Sequence, residues 1–184
     1  MTKRLFLAIN LTREIIKKLS VYSRDIDNLK VTWVSSDNLH VTVLFLGNTE
    51  ESSIKNLIEL IERQVKDIKK FILNFKCVTF FPHTYNPRMI WAEFYKDKNF
   101  DALVKNLYTT LAPVCKNISV QDSCENIIPH VTLARLKAPP RTQVFFKQPD
   151  IKDLYVESID LMSSKLLPDG PEYTLLKKFC LDLS

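Results

Sequence analysis

The segments Leu39-His40-Val41-Thr42-Val43 and Pro129-His130-Val131-Thr132-Leu133 set the same polar pair into two β-rich runs, one in each half of the chain. Successive strand side chains point to opposite faces, so His40 shares a face with Thr42, and His130 with Thr132. No other region repeats clearly. The echo therefore points to a two-lobed architecture in which each half contributes one motif-bearing strand.

The rest of the chain fits such a plan. Arg4 to Asn10 reads as a first strand. A helix capped by Thr12 follows, with Ile15, Ile16, Leu19 and Ile26 at helical spacing. Val31 to Val34 is a short strand, and Ser35 to Asn38 has turn composition. Leu39 to Leu46 is a strand ending at Gly47. A helix capped by Thr49 then carries Ile54, Leu57, Ile58, Ile61, Val65 and Ile68 as its buried stripe. Strands are predicted over Phe71 to Phe80 and Arg88 to Tyr95, and a helix over Asn99 to Leu111. Pro129 to Leu136 is a strand. Leu154 to Leu166 and Tyr173 to Leu183 form a closing hairpin around Pro168-Asp169-Gly170-Pro171. Irregular alternation with tight hairpins predicts an α+β fold, mainly antiparallel. Its length of 184 residues suits a single bilobal domain spanning 1–184.

Composition narrows the chemistry. Only two glycines occur, Gly47 and Gly170, so no glycine-rich phosphate loop or dinucleotide fingerprint can be assembled. Phosphate, if bound, must be held by side chains. Cys77, Cys115, Cys124 and Cys180 match no zinc spacing and read as reduced, mostly buried thiols. A formal charge of +5 gives only a mild bias toward anionic ligands. The apolar run from Leu5 to Ile9 is too short for a secretory signal, and no stretch reaches membrane-spanning length. The expected setting is cytoplasmic, with no membrane association and a monomer as the default state.

Two of the three histidines lie in the His-Val-Thr triplets. In-line cleavage of a phosphodiester needs one group to remove a proton from the attacking oxygen and another to protonate the leaving oxygen. Imidazole suits both tasks, because its unperturbed pKa lies near neutrality. The hydroxyls of Thr42 and Thr132 can orient the non-bridging phosphate oxygens. A lone strand histidine is more often structural, and threonine is common in strands; the duplication is what favours a shared catalytic site. The remaining histidine, His83, sits in a proline loop without the motif and is assigned no role. A threonine partner in place of Cys, Asp or a third His argues against a metal site, and no cofactor is expected.

With these motifs in place, the chain resembles the two-histidine phosphoesterase superfamily, and within it the RNA 2′,3′-cyclic phosphodiesterases, historically called 2′-5′ RNA ligases. Arg4 to Ile9, Trp33, Asn38 to Thr42, Phe45 to Gly47, Phe81-Pro82, Pro87-Arg88, Trp91, Pro129 to Arg135, Ser164, Gly170-Pro171 and Tyr173 carry the likeness. Val43 stands where the family usually has Leu, and Glu93 falls near a position that is often Gly. The resemblance implies a bilobal fold, with a mainly antiparallel sheet in each lobe, helices outside and a central cleft holding both motifs. It also implies that His40 is the acid toward the 3′-oxygen and His130 the base that activates water. The substrate would be RNA ends or nucleotides carrying a 2′,3′-cyclic phosphate. The product would be a 2′-phosphomonoester, and the reverse reaction would join ends through a 2′-5′ linkage.

Family likeness also suggests a phosphate contact for Arg135, which suits a guanidinium. Strict alternation, however, puts Arg135 on the face opposite His130. Either the strand twists or bulges, or Arg135 is structural. Phe45 holds the equivalent place in the first motif, where it either stacks on a base or packs in the core. Two further functions stay open. One is cleavage of another small cyclic phosphate or a 2′-5′ oligonucleotide; the other is a non-catalytic module that binds RNA ends. A two-imidazole mechanism predicts a bell-shaped pH dependence near neutrality.

Overall fold

The computed structural model describes residues 1–22, 29–82, 86–119, 127–140, 144–168 and 170–182. Ile26, His83, Cys124 and Asp169, each weighed above, lie outside the described residues.

Strand β1 (Thr2–Asn10) leads into helix α1 (Arg13–Ser20), where the Thr12 side chain accepts from the Ile15 N–H at 3.3 Å, as the sequence predicts. Strand β2 (Val31–Trp33), a 3₁₀ turn (Ser36–Asn38) and strand β3 (His40–Glu50) follow. Helix α2 (Ile54–Val65) and helix α3 (Lys98–Leu111) flank strands β4 (Phe71–Leu73), β5 (Phe75–Phe81) and β6 (Met89–Phe94). Strands β7 (His130–Leu136), β8 (Leu154–Val156), β9 (Ser158–Leu167) and β10 (Gly170–Cys180) complete the described elements.

The fold is α+β and mainly antiparallel. Eight strands run in the order β10-β9-β1-β3-β7-β6-β5, with β2 also paired to β7, while β4 and β8 make a separate two-stranded sheet. Two halves are evident in this order. One is β10-β9-β1-β3, the other β2, β7, β6 and β5, and they meet where Val41 of β3 pairs with Val131 of β7. The motif strands thus form the seam between the halves.

Leu5, Leu7 and Ile9 of β1, Val41 and Val43 of β3, Leu57 and Ile61 of α2, and Leu103 and Leu107 of α3 belong to one hydrophobic core. Burying each such side chain is worth roughly 1.5–3 kcal/mol. An isolated helix of fewer than ~12–15 residues is marginal in water. Core packing therefore holds α1 and α2, at 8 and 12 residues, more than their own propensity does.

Several expectations need correction. Thr49 lies in β3 and caps nothing; the chain enters α2 through a 3₁₀ turn (Glu51–Ser53), and Ser53 makes no side-chain cap. The predicted strand from Phe71 to Phe80 breaks at Asn74, where the chain leaves β8 and joins β6. An unbroken apolar run does not reveal such a change of sheet. The first arm of the closing hairpin divides similarly into β8 and β9.

Gly47 does not end β3 but sits inside it with φ +73°, beside a register shift at Leu46. A Cβ there would lie 2.6 Å from the Asn117 Cβ and 2.8 Å from its carbonyl oxygen. Phe45 exchanges backbone hydrogen bonds with Ser119 nearby, at 3.1 and 2.9 Å. Gly47→Ala should therefore lower the unfolding free energy by roughly 2–4 kcal/mol, from left-handed strain plus overpacking. Urea denaturation checks this; a loss below about 0.5 kcal/mol would show that the Asn117 segment yields freely.

Candidate active site

Antiparallel pairing at Val41 and Val131 sets His40 alongside Thr132 and Thr42 alongside His130. All four polar side chains share the face opposite those two buried valines. The four residues that sequence reading singled out as a group are thus brought together by one strand pair.

Each imidazole is held in the same way. His40 Nδ1 lies 2.7 Å from the Asn38 carbonyl, and His130 Nδ1 lies 2.8 Å from the Ile128 carbonyl. A carbonyl only accepts, so each Nδ1 carries the proton and Nε2 is the nitrogen whose lone pair stays open in the neutral ring. Thr42 Oγ1 stands 3.1 Å from His40 Nε2 and donates to it when that ring is neutral. The Asn38 amide also donates to the Pro171 carbonyl at 2.7 Å, tying the turn before His40 to the closing hairpin.

The structure resolves the parity of Arg135. Trp91 pairs with Thr132 and the next residue, Ile90, pairs with Ala134, so Leu133 is an extra residue in β7. Leu133 and Ala134 are accordingly both buried. This bulge reverses the alternation and returns Arg135, paired with Met89, to the face of His130. The first motif has the same device. Ala8 pairs with Thr42 and Leu7 with Leu44, leaving Val43 as the extra residue and returning Phe45 to the face of His40. Both bulges fall three residues after their histidine. Phe45 is half-buried against Phe6, with ring centroids 6.3 Å apart, and Arg135 is exposed with Nη1 3.7 Å from the Met89 sulfur.

The surroundings of the two rings differ. His130 is 5% exposed and stacks on Trp91 at 3.5 Å and 11°; Trp91 stacks in turn on Phe81 at 3.4 Å and 10°. His40 is half-buried and meets Phe6 at 5.0 Å and the edge of Tyr173 at 5.4 Å. Burial lowers both pKa values, against the opposing effect of the carbonyl contacts. For His130 the fall reaches about 4, and the charge of His40 adds to it. The two rings therefore lie within electrostatic reach of each other.

Trp91, Tyr173 and Phe6 shape this site, yet sequence reading gave none of them a place in it. Phe6 sits in an unbroken apolar run, so its face could not be read from alternation. Trp91 was read only as part of a predicted strand and as one of the residues that carry the family likeness; its place beside Thr132 is set by the pairing of β6 with β7. Glu93 pairs in register with His130, and its buried carboxylate accepts from Lys76 Nζ at 3.2 Å. Among the described residues no three His, Cys, Asp or Glu side chains converge to hold a metal ion. Cys115 is buried, Cys77 half-buried and Cys180 exposed, all as free thiols. No helix among the described residues is long and apolar enough to cross a membrane.

Comparison with known proteins identifies the family. The family model of the 2′-5′ RNA ligase superfamily matches residues 18–165, a span that includes both motifs. The RNA 2′,3′-cyclic phosphodiesterase of Thermotoga maritima is 29% identical over 178 residues, covering 94% of this chain and 92% of that protein. The enzyme of the same name from Aquifex aeolicus is 30% identical over 186 residues, covering 95% and 92%. The crystal structure of TT0787 from Thermus thermophilus matches with a TM-score of 0.83 at 29% identity, over 97% of each chain. With its duplicated motif, its antiparallel fold and a match over most of its length, the chain belongs to the 2′-5′ RNA ligase superfamily.

Proposed function

We propose that this protein hydrolyses 2′,3′-cyclic phosphate termini of RNA to 2′-phosphomonoesters, without a metal ion, in one bilobal domain. The observation that carries the reading is the pair of imidazoles on adjacent strands, each fixed through Nδ1 with Nε2 as the reacting nitrogen. The names of the relatives add the substrate class.

In this scheme His130 takes a proton from water through Nε2 as the oxygen attacks phosphorus. The bond to the 3′-oxygen breaks, and His40 Nε2–H delivers a proton to that oxygen. One water is consumed; the products are a 2′-phosphate and a 3′-hydroxyl. The division of labour is supported by burial, which favours a neutral ring more strongly at His130 than at His40. Thr42, Thr132 and Arg135 hold the non-bridging oxygens and the charge that develops on them. Phe45 offers an aromatic face to the terminal base. With a 5′-hydroxyl as nucleophile in place of water, the same displacement breaks the bond to the 3′-oxygen and joins the two ends through a 2′-5′ bond.

The test is turnover of a nucleoside 2′,3′-cyclic phosphate in EDTA, with 2′- and 3′-phosphate products resolved. The expected product is the 2′-phosphate alone, and kcat/KM should be bell-shaped in pH. Its rising limb lies near pH 4, where His130 becomes neutral, and its falling limb lies below pH 6.5, where His40 loses its proton. Burial thus moves the optimum to the acid side of the near-neutral expectation. The falling limb of kcat itself should lie higher, because bound phosphate favours protonated His40. A 3′-phosphate product would reverse the leaving group, a metal requirement would remove the two-imidazole scheme, and binding without turnover would leave an RNA-end-binding module.

A further inference from the structure

We infer that a polar groove beside Phe45 is a second nucleotide subsite, which holds the phosphodiester 5′ to the reactive terminal nucleotide of an RNA. This rests on the phosphodiesterase reading above. The groove is open to solvent and offers about 640 Å³. Arg4, Phe45, Asn48, Asn117, Ser119 and Ser164 line it, so hydrogen-bonding groups predominate around one cation.

Its position follows from strand register. Arg4 pairs with Asn48 on one side and Ser164 on the other, and Ser164 pairs with Tyr173. On β1, Arg4, Phe6 and Ala8 alternate along the face that carries the site, with Ala8 beside Thr42 and Phe6 beside Phe45. At ~3.3 Å per residue, Arg4 stands ~13 Å from the Thr42 row. A terminal nucleoside stacked on Phe45 covers part of that interval, and the long Arg4 side chain covers the rest to meet the next phosphate. Continuity with the site is also electrostatic, since the charges of Arg135 and Arg4 both act on the Tyr173 hydroxyl. Lys3, next in sequence and on the other face, pairs with Glu51 at 3.8 Å, whereas Arg4 makes no ion pair with a described residue. Its guanidinium is therefore available for a phosphate, which it suits through paired N–H donors.

The experiment compares cytidine 2′,3′-cyclic phosphate with a dinucleotide ending in the same cyclic group, in wild type and Arg4→Gln. The expected wild-type kcat/KM is roughly tenfold higher for the dinucleotide, the worth of one charge-assisted contact. Added salt should erode that advantage, as it does other phosphate contacts. Arg4→Gln should abolish the advantage while mononucleotide turnover, which also reports correct folding, stays within about twofold. Arg4→Lys should retain part of it. Equal wild-type turnover of both substrates, or an Arg4→Gln loss that falls equally on both, would overturn the subsite. Turnover of neither substrate by wild type would instead overturn the phosphodiesterase reading.

Discussion

His40→Ala and His130→Ala are each expected to lower kcat/KM on a nucleoside 2′,3′-cyclic phosphate by roughly 10²–10⁴-fold, the usual worth of a positioned acid or base. Each removes one proton transfer from a single concerted displacement, so the double variant should be little worse than the poorer single one. Their pH profiles distinguish the roles. Without His130 the rising limb near pH 4 should vanish, because no base remains to be deprotonated. Without His40 the falling limb should vanish instead. Both variants should fold, since alanine replaces one buried and one half-buried ring at the seam without breaking a strand hydrogen bond. Turnover within tenfold of wild type in either variant would remove that residue from the chemistry. Unchanged substrate affinity would then be uninformative about mechanism, because the proposed scheme assigns binding to the threonines and Arg135.

The largest expected effect on stability is at Trp91. Its side chain is fully buried between Phe81 and His130. Trp91→Ala removes both stacking partners at once and leaves a cavity, at a cost of about 3–5 kcal/mol. For a domain of this size, each kcal/mol shifts Tm by roughly 2–4 °C, so the midpoint should fall by about 6–20 °C. A kinetic signature accompanies the loss. The indole shields His130 from water, and shielding is the main cause of its low pKa. Removing the indole lets that pKa rise toward 6.5, so the rising limb of kcat/KM should move up from about pH 4. Trp91→Phe preserves an aromatic surface and should show a smaller version of both effects. Thermal melts and the pH profile read these together. Lost stability with an unmoved rising limb would make the indole a packing residue only.

The two effects trace to one asymmetry in a nearly symmetric site. The motifs match in triplet, in bulge position and in the carbonyl that orients each ring. Their aromatic neighbours differ: His130 has a parallel indole, whereas His40 has a tilted Phe6 and the edge of Tyr173. A site with identical surroundings for both rings would have no structural reason to prefer one as acid and the other as base. Deeper burial of His130 supports the proposed assignment of base to that ring and acid to His40.

Local pattern alone determined much of this. The His-Val-Thr triplets have period two, and that period specifies which side chains share a strand face wherever the strand lies. Helix α3 and the cap at Thr12 were legible for the same reason, since both depend on residues a few positions apart. Glycine scarcity excluded phosphate loops without any fold. Other features required contacts between distant segments. That Thr49 caps nothing depends on β3 extending to Glu50 against β1, and the break at Asn74 depends on β8 drawing Phe71 to Leu73 into another sheet. The bulges at Val43 and Leu133 are defined only by the partner strands β1 and β6. Alternation counted along the sequence put Arg135 on the wrong face, because one extra residue in a strand leaves no mark in a run of apolar side chains. The duplicated motif singled out the candidate residues; pairing at Val41 and Val131 decided that the two pairs face one another, and two added residues brought Phe45 and Arg135 to the same face.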